Sequence, residues 1–199
     1  MTTLTNSRAK RYMPTLVVPS AARRSALDLA SKRVIDIVLA TVGVIILTPL
    51  WLVVALLIRI SDRGPAFFKQ TRVGKNGQTF TMYKFRTMRV DAEQVKASLE
   101  AANRADVGAG NSVMFKMRDD PRVTRVGRVL RKTSIDELPQ LFNVIKGDMS
   151  LVGPRPPLPS EVATYEPHVM GKFSVRPGIT GLWQISGRSD LSWDSTVAL

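Results

Sequence analysis

From residue 37 to residue 58 the chain carries no charge: it reads IVLATVGVIILTPLWLVVALLI, 22 residues. A helix of about 20 apolar residues crosses the hydrocarbon core of a bilayer, so the run is long enough to span. Pro49 sits inside it, and Thr48-Pro49 favours a kink or a break, because proline lacks the amide donor and restricts the residue before it. Lys32 and Arg33 precede the run, and Arg59 and Arg63 follow it. Basic flanks mark the cytoplasmic side of a membrane segment, and here both flanks are basic. Two arrangements remain open on charge and proline alone. One is a helix that enters, bends at Pro49 and returns to the same face. The other is a single span with a proline kink. A signal peptide is disfavoured, since the run exceeds a usual h-region and no small-residue cleavage site follows it.

The 199 residues carry 29 Lys or Arg against 16 Asp or Glu, a formal charge of +13. Such an excess points to nucleic acid, anionic lipid or a phosphorylated substrate. With a membrane segment present, an acidic membrane surface and phosphate are the natural partners. Nucleic acid is disfavoured, because no helix-turn-helix spacing, aromatic-basic repeat or set of zinc ligands stands out. Cysteine is absent, which removes disulfides and thiolate chemistry, and the single His168 removes a multi-histidine metal site. No internal repeat of 20 to 50 residues is present.

The first 22 or so residues mix Thr, Ser, Pro and basic residues without a period and read as a tail. Residues 23–32 read either as a short helix leading to the membrane or as a solvated leader. Beyond Gly64-Pro65, residues 66–88 read as a β-hairpin: a strand beginning at Ala66-Phe67-Phe68, a turn at Val73-Gly74-Lys75-Asn76-Gly77-Gln78, then period-two alternation that slips after Tyr83. Phe80, Met82 and Phe85 are its inward candidates. Residues 91–105 predict a helix, and residues 106–112, with Gly108 and Gly110, a loop. Residues 122–132 predict an amphipathic helix. Val123, Val126, Val129 and Leu130 fall on one side, and Arg125, Arg128, Arg131 and Lys132 on the other. Such a helix either lies at the membrane interface or packs on the core with its charges in water.

Ser134-Ile135-Asp136-Glu137 is the sharpest local signal. It has the pattern of a capping box, with Ser134 at the N-cap and Glu137 reaching back to it, and Pro139 suits the first turn. The same residues also read as an acid pair near a helix start, where the dipole favours anions. With arginines nearby, such a pair suits Mg²⁺ binding and attack on phosphorus. Downstream, Val152-Gly153-Pro154-Arg155-Pro156-Pro157 holds Arg155 in a rigid loop. That loop is either a phosphate grip or a structural turn. Arg176-Pro177-Gly178-Ile179-Thr180-Gly181, continuing to Gly187-Arg188, again combines glycine turns with fixed arginines.

These stretches carry a resemblance. From about Lys32 to Trp193 the chain resembles the bacterial sugar transferase family, the monotopic polyprenyl-phosphate phosphoglycosyl transferases. The matching pieces run in family order: Lys32-Arg33-Val34-Ile35-Asp36, Thr48-Pro49, Tyr83-Lys84-Phe85-Arg86-Thr87-Met88, and Asp136-Glu137-Leu138-Pro139-Gln140-Leu141-Phe142-Asn143-Val144. They continue with Lys146-Gly147-Asp148-Met149-Ser150, Val152-Gly153-Pro154-Arg155-Pro156 and Arg176-Pro177-Gly178-Ile179-Thr180-Gly181.

The resemblance implies a mixed, irregular α/β fold with a re-entrant helix-break-helix membrane segment, broken at Thr48 and Pro49, and interfacial amphipathic helices. The expected division is a basic tail over 1–30, the re-entrant segment over 31–60 and a cytoplasmic catalytic domain over 61–199, at the inner membrane. The implied chemistry is a two-step transfer of a sugar-1-phosphate from a UDP-sugar, with Mg²⁺, to undecaprenyl phosphate. Asp136 would be the nucleophile and Glu137 a base or metal partner, so both carboxylates are expected metal contacts. Lys84, Arg86, Arg155, Arg176 and Arg188 are expected around phosphates. Leu182-Trp183-Gln184-Ile185-Ser186-Gly187-Arg188 resembles relatives that transfer hexose-1-phosphate. Many relatives carry further spanning helices ahead of this region and another helical segment after it. On that departure rests a rival expectation, a truncated and inactive scaffold of a polysaccharide assembly complex. Oligomeric state is not legible.

Overall fold

The computed structural model describes residues 25–92, 94, 95 and 120–185. Nearly all of the expected tail, most of the helix expected over 91–105, the glycine loop that follows it, and Arg188 lie outside the described residues.

The apolar run is the centre of one long helix, α1 (Ala26–Asp62). Ser25 caps it, accepting from the Leu27 amide at 3.2 Å, and Arg63 ends it in the left-handed region at φ 47. The backbone is helical on both sides of Thr48 and Pro49. Pro49 has no amide proton to donate to the Ile45 carbonyl one turn earlier, and the Thr48 hydroxyl donates to the neighbouring Val44 carbonyl at 2.7 Å.

One stripe of α1 packs on the rest of the chain. Asp36, Ala40, Trp51, Val54 and Ile58 are buried, with Val44, Leu47 and Ala55 packed beside them. Their spacings of three and four residues define one helical face. The other faces stay exposed: Ile45, Ile46, Leu52, Leu56 and Ile60 face away from the core. Polar groups tie both ends of α1 down. Arg33 donates to the Val144 and Ile145 carbonyls at 2.8 and 3.1 Å. Asp36 accepts from Lys32, from the Ser150 hydroxyl at 2.8 Å and from the Leu151 amide at 3.2 Å. At the far end Asp62 pairs with Arg86 at 3.6 Å.

The expected hairpin is present as β1 (Phe67–Val73) and β2 (Thr79–Phe85), antiparallel, with Phe67 opposite Phe85 and Val73 opposite Thr79. The slip in alternation after Tyr83 has a packing cause. Met82 and Phe85 fall on opposite faces of the strand, and both are buried. Phe85, 1% exposed, meets the edge of Trp51 from α1 and stacks on Phe67.

After the hairpin come α2 (Arg125–Thr133), a 3-10 helix (Ile135–Gln140) and α3 (Leu141–Lys146). Then follow β3 (Ser150–Val152), the short α4 (Pro159–Val162), a 3-10 stretch (Pro167–Ser174), β4 (Gly178–Thr180) and α5 (Leu182–Ile185). β3 pairs parallel with β4. Two small two-stranded sheets among helices make a mixed, irregular α/β architecture. Asn143 joins hairpin to helix: its fully buried amide accepts from the Tyr83 amide at 3.1 Å and donates to the Thr81 carbonyl at 2.7 Å. It thus satisfies an edge of β2 that would otherwise leave backbone groups unpaired.

The amphipathic reading of α2 holds for Val126 and Leu130, which pack on the main core, but not for Val129, which is 61% exposed. Gly127 takes the place facing the hairpin. Arg131, expected in water, instead donates from Nε to the Thr87 hydroxyl at 2.9 Å. The close approach explains the choice of glycine: a Cβ at Gly127 would lie 2.0 Å from the Thr87 carbonyl oxygen. Gly127→Ala is therefore expected to destabilise the fold by about 1–3 kcal/mol, the usual cost of overpacking. An unchanged melting temperature for that variant would contradict the packing described.

Candidate active site

The acid pair sits in the first turn of the 3-10 helix, immediately after α2. The expected capping box does not form. Ser134 ends α2 in the left-handed region at φ 58 and gives no side-chain cap to the turn that follows. A non-glycine residue rarely adopts that conformation. It turns the chain so that Asp136 faces inward and Glu137 reaches the hairpin. Glu137 is thereby committed elsewhere than to a cap: Lys84 Nζ, from β2, donates to its Oε1 at 2.9 Å.

Asp136 is 9% exposed. Burial pushes its carboxyl above the usual range, Glu137 pushes it the same way, and Lys84 and Arg131 oppose them. Among the described residues no side chain donates a hydrogen bond to Asp136. It therefore carries a latent charge, attracted by two cations at a distance and bonded to neither. A buried acid with a raised pKa beside specific charges is what a reactive carboxylate needs.

The basic residues expected around phosphates do not gather at one place. Lys84 joins the acid pair. Arg86 does not: its ion-pair partner is Asp62, and its guanidinium lies so close to Gly64 that a Cβ there would stand 2.1 Å from it. Arg86 thus secures the end of α1. Arg155 gives its two terminal nitrogens to Glu161 at 3.0 and 3.2 Å, so the fork expected to grip phosphate holds a carboxylate. Arg176 donates from Nε to the Gly147 carbonyl at 2.9 Å, next to Arg33. Arg188 lies outside the described residues.

Sequence reasoning passed over Arg72, Arg131 and Glu161. Helical period alone puts Arg131 on the basic side of its helix, at the membrane interface or in water. Its one available signal was its position on the last turn before the acid pair. Arg72, on β1, is buried and feels both Glu161 and Glu137. Nothing in its local sequence separates it from the exposed Lys69 three strand positions away.

Two adjacent carboxylates, one of them half-exposed, suit Mg²⁺, which commonly takes one or two protein carboxylates and completes its shell with water and substrate phosphates. No cluster of three or more metal-ligating side chains occurs among the described residues, so a metal here would depend on the substrate for the rest of its shell.

An apolar helix packs on a small α/β unit that holds an acid pair, Asp136 buried and Glu137 half-buried, among fixed basic side chains. The family model for bacterial sugar transferases matches residues 27–199; the chain belongs to that family. A galactosyl transferase, CpsE, of Streptococcus agalactiae is 50% identical over 86% of this chain and 37% of its own length. The exopolysaccharide production protein ExoY of Sinorhizobium fredii is 47% identical over 84% of this chain and 74% of its own. The undecaprenyl-phosphate galactose phosphotransferase of Salmonella typhimurium is 46% identical over 88% of this chain. This chain spans 36% of that relative, so both it and CpsE are much longer proteins than this one.

The electrostatics of Asp136 have a consequence for stability. A carboxyl whose folded-state pKa is raised favours the fold when protonated and loses that contribution as pH rises through the raised value. Asp136→Asn is therefore expected to melt higher than the native chain at neutral pH. The advantage should shrink toward acid pH, where the native side chain is protonated in both folded and unfolded states. In Lys84→Ala, which removes an attractive cation, a ¹³C-carboxyl titration should move Asp136 further up; Glu137→Gln should move it down. A neutral-pH melting temperature that falls in Asp136→Asn would contradict this account.

Proposed function

We propose that this chain is a phosphoglycosyl transferase. In this reading it moves a sugar-1-phosphate from a uridine diphosphate sugar to undecaprenyl phosphate, the first membrane step in building a surface polysaccharide. The observation that carries the reading is Asp136: buried, raised in pKa, bonded by no described side chain, and set between Lys84 and Arg131. Family membership and the phosphotransferase name of the Salmonella relative support it. The retained acid pair counts against the inactive-scaffold reading.

In the first step an Asp136 oxygen attacks the sugar-linked phosphorus. The bond from that phosphorus to the bridging oxygen breaks, and uridine monophosphate leaves with the electron pair. The phosphosugar stays esterified to Asp136. In the second step a phosphate oxygen of undecaprenyl phosphate attacks the same phosphorus, and the Asp136 carboxylate departs. Splitting one displacement into two lets donor and lipid use one site in turn. Ionised Asp136 is repelled by its substrates, so the fields of Lys84 and Arg131 matter most while negative charge gathers around phosphorus. Glu137, held by Lys84, takes the proton of an incoming phosphate or turns toward Mg²⁺. Mg²⁺ held by Asp136 and Glu137 would neutralise diphosphate charge when bound.

In the same proposal α1 enters one leaflet and returns, on the cytoplasmic face of the inner membrane. The support is mechanical. One folded unit grips α1 at Arg33 and Asp36 and again at Asp62. A single span would put those two grips on opposite sides of a core about 30 Å thick. The division of the chain at residues 30 and 60 belongs to this proposal, as does the interfacial seat of α2, whose Arg125, Arg128 and Val129 face outward. The donor favoured is a hexose nucleotide; two of the relatives named above act on galactose by name.

Membranes bearing the chain, given a panel of radiolabelled UDP-sugars with undecaprenyl phosphate, are expected to move label into the lipid phase and release uridine monophosphate. With donor alone, the peptide holding Asp136 should gain the mass of a sugar phosphate. Asp136→Asn should abolish both signals. Full turnover in Asp136→Asn, or product accumulating without any adduct, would overturn the mechanism. Reaction of a tag beside Arg63 with a periplasmic reagent would overturn the topology.

A further inference from the structure

We propose that Glu161 is a positioning residue for Arg155: its carboxylate presets the Arg155 guanidinium for the donor's phosphates, and Arg72 braces the pair. The proposal rests on the phosphoryl-transfer reading above and adds to it a residue outside the acid pair.

Glu161 lies on the short α4, 3% exposed, and both of its oxygens are engaged. Arg155 Nη1 donates to Oε2 at 3.0 Å and Nη2 to Oε1 at 3.2 Å. The Leu158 amide donates to Oε2 at 2.7 Å. Arg72 Nη1 stands 4.0 Å from the same oxygen. Arg72 is fixed in turn. Its Nη1 donates to the Pro156 carbonyl at 3.0 Å, and its Nε and Nη2 donate to Gln70 Oε1 at 3.0 and 2.6 Å. The Val73 amide adds a bond to the Pro157 carbonyl at 3.0 Å. The loop carrying Arg155 is thus clamped between the end of β1 and the start of α4.

A two-point guanidinium–carboxylate pair fixes the plane of the arginine as well as its place. An arginine already ordered gives up less rotamer freedom when it meets an anion. The charges also balance in a useful way. Two guanidinium groups against one carboxylate leave the cluster net positive. Arg155 is still 22% exposed and shares a shallow pocket with Gly74, Pro154 and Lys172. Burial alone would raise the Glu161 carboxyl, but the bonds from Arg155 and Leu158 hold it below the usual range, so it stays ionised at neutral pH. Burial, then Arg155, pushes Arg72 down to about 10, still fully charged near neutrality. Arg72 also feels Glu137, which places the braced cluster within electrostatic reach of the acid pair. Glu161 thus caps the start of α4 through Leu158 and, with both oxygens, orients one partly exposed cation.

The test uses the full chain in lipid nanodiscs. Glu161→Asp keeps the charge beside Arg72, so the fold survives, but it is one methylene too short to hold both Arg155 nitrogens; Glu161→Gln serves as the companion variant. Two readouts are taken. The first is the KM and kcat for the UDP-sugar donor. The second is the rate at which phenylglyoxal labels Arg155, followed by peptide mass. Glu161→Asp is expected to raise KM roughly tenfold with little change in kcat, the signature of lost ground-state binding, and to speed labelling of Arg155. In an Arg155→Ala background Glu161→Asp should add nothing further to KM. Unchanged KM with unchanged labelling would overturn the proposal. So would an equal rise in KM with Arg155 already removed, since Glu161 would then act by another route. If the native chain transferred no sugar phosphate from any donor, the reaction assignment would fail, while the labelling arm would still decide whether Glu161 holds Arg155.

Discussion

The whole arrangement depends on α1 having two solvents. One stripe, through Ala40, Trp51, Val54 and Ile58, belongs to the main apolar cluster of the α/β unit and contacts Phe85, Leu141 and their neighbours. The remaining faces expose Ile45, Ile46, Leu52 and Leu56. A contiguous apolar surface of that size is not left in water by a soluble monomer, at about 25 cal/mol for each Å² exposed. Removing the helix to spare that cost would open the core, because Trp51 itself comes from α1 and packs against Phe85 and Phe142. The same packing ties the site to the helix: β2, which carries Lys84, presses Phe85 onto α1.

Much of this was legible in the chain itself, where the signal was local and periodic. The 22-residue uncharged run announced α1, and the turn from Val73 to Gln78 announced the hairpin, expected over 66–88 and found from Phe67 to Phe85. The acid pair stood out by its neighbours; Asp136 is buried and Glu137, half-buried, pairs with Lys84. Misreadings arose where a local motif had two outlets and only distant contacts chose between them. Ser134-x-x-Glu137 has the form of a capping box, but Lys84, more than fifty residues earlier in the chain, claims Glu137. Arg155 has the form of a free fork, but Glu161, only six residues away, fills it. No periodic pattern marks that pairing, because the intervening prolines make the loop irregular.

The carboxylates show how the fold separates acids held by arginine from one that no described side chain bonds. Asp120 is bound by Arg122 through two close contacts and held below its ordinary range. Glu161 is bound by Arg155 and held low as well. Asp136 has neighbouring cations of the same kind, yet it is pushed up, because desolvation is not repaid by a direct side-chain bond. A carboxylate whose oxygens accept side-chain bonds is stabilised in its ionised form; one that is buried with no side-chain donor is not. The difference lies in geometry, since arginine or lysine is near every one of these acids. Arg131 spends its Nε on the Thr87 hydroxyl and acts on Asp136 through charge alone. In the proposed reaction, that lack of a side-chain partner is what would leave Asp136 able to attack an electrophile that approaches with its own negative charge.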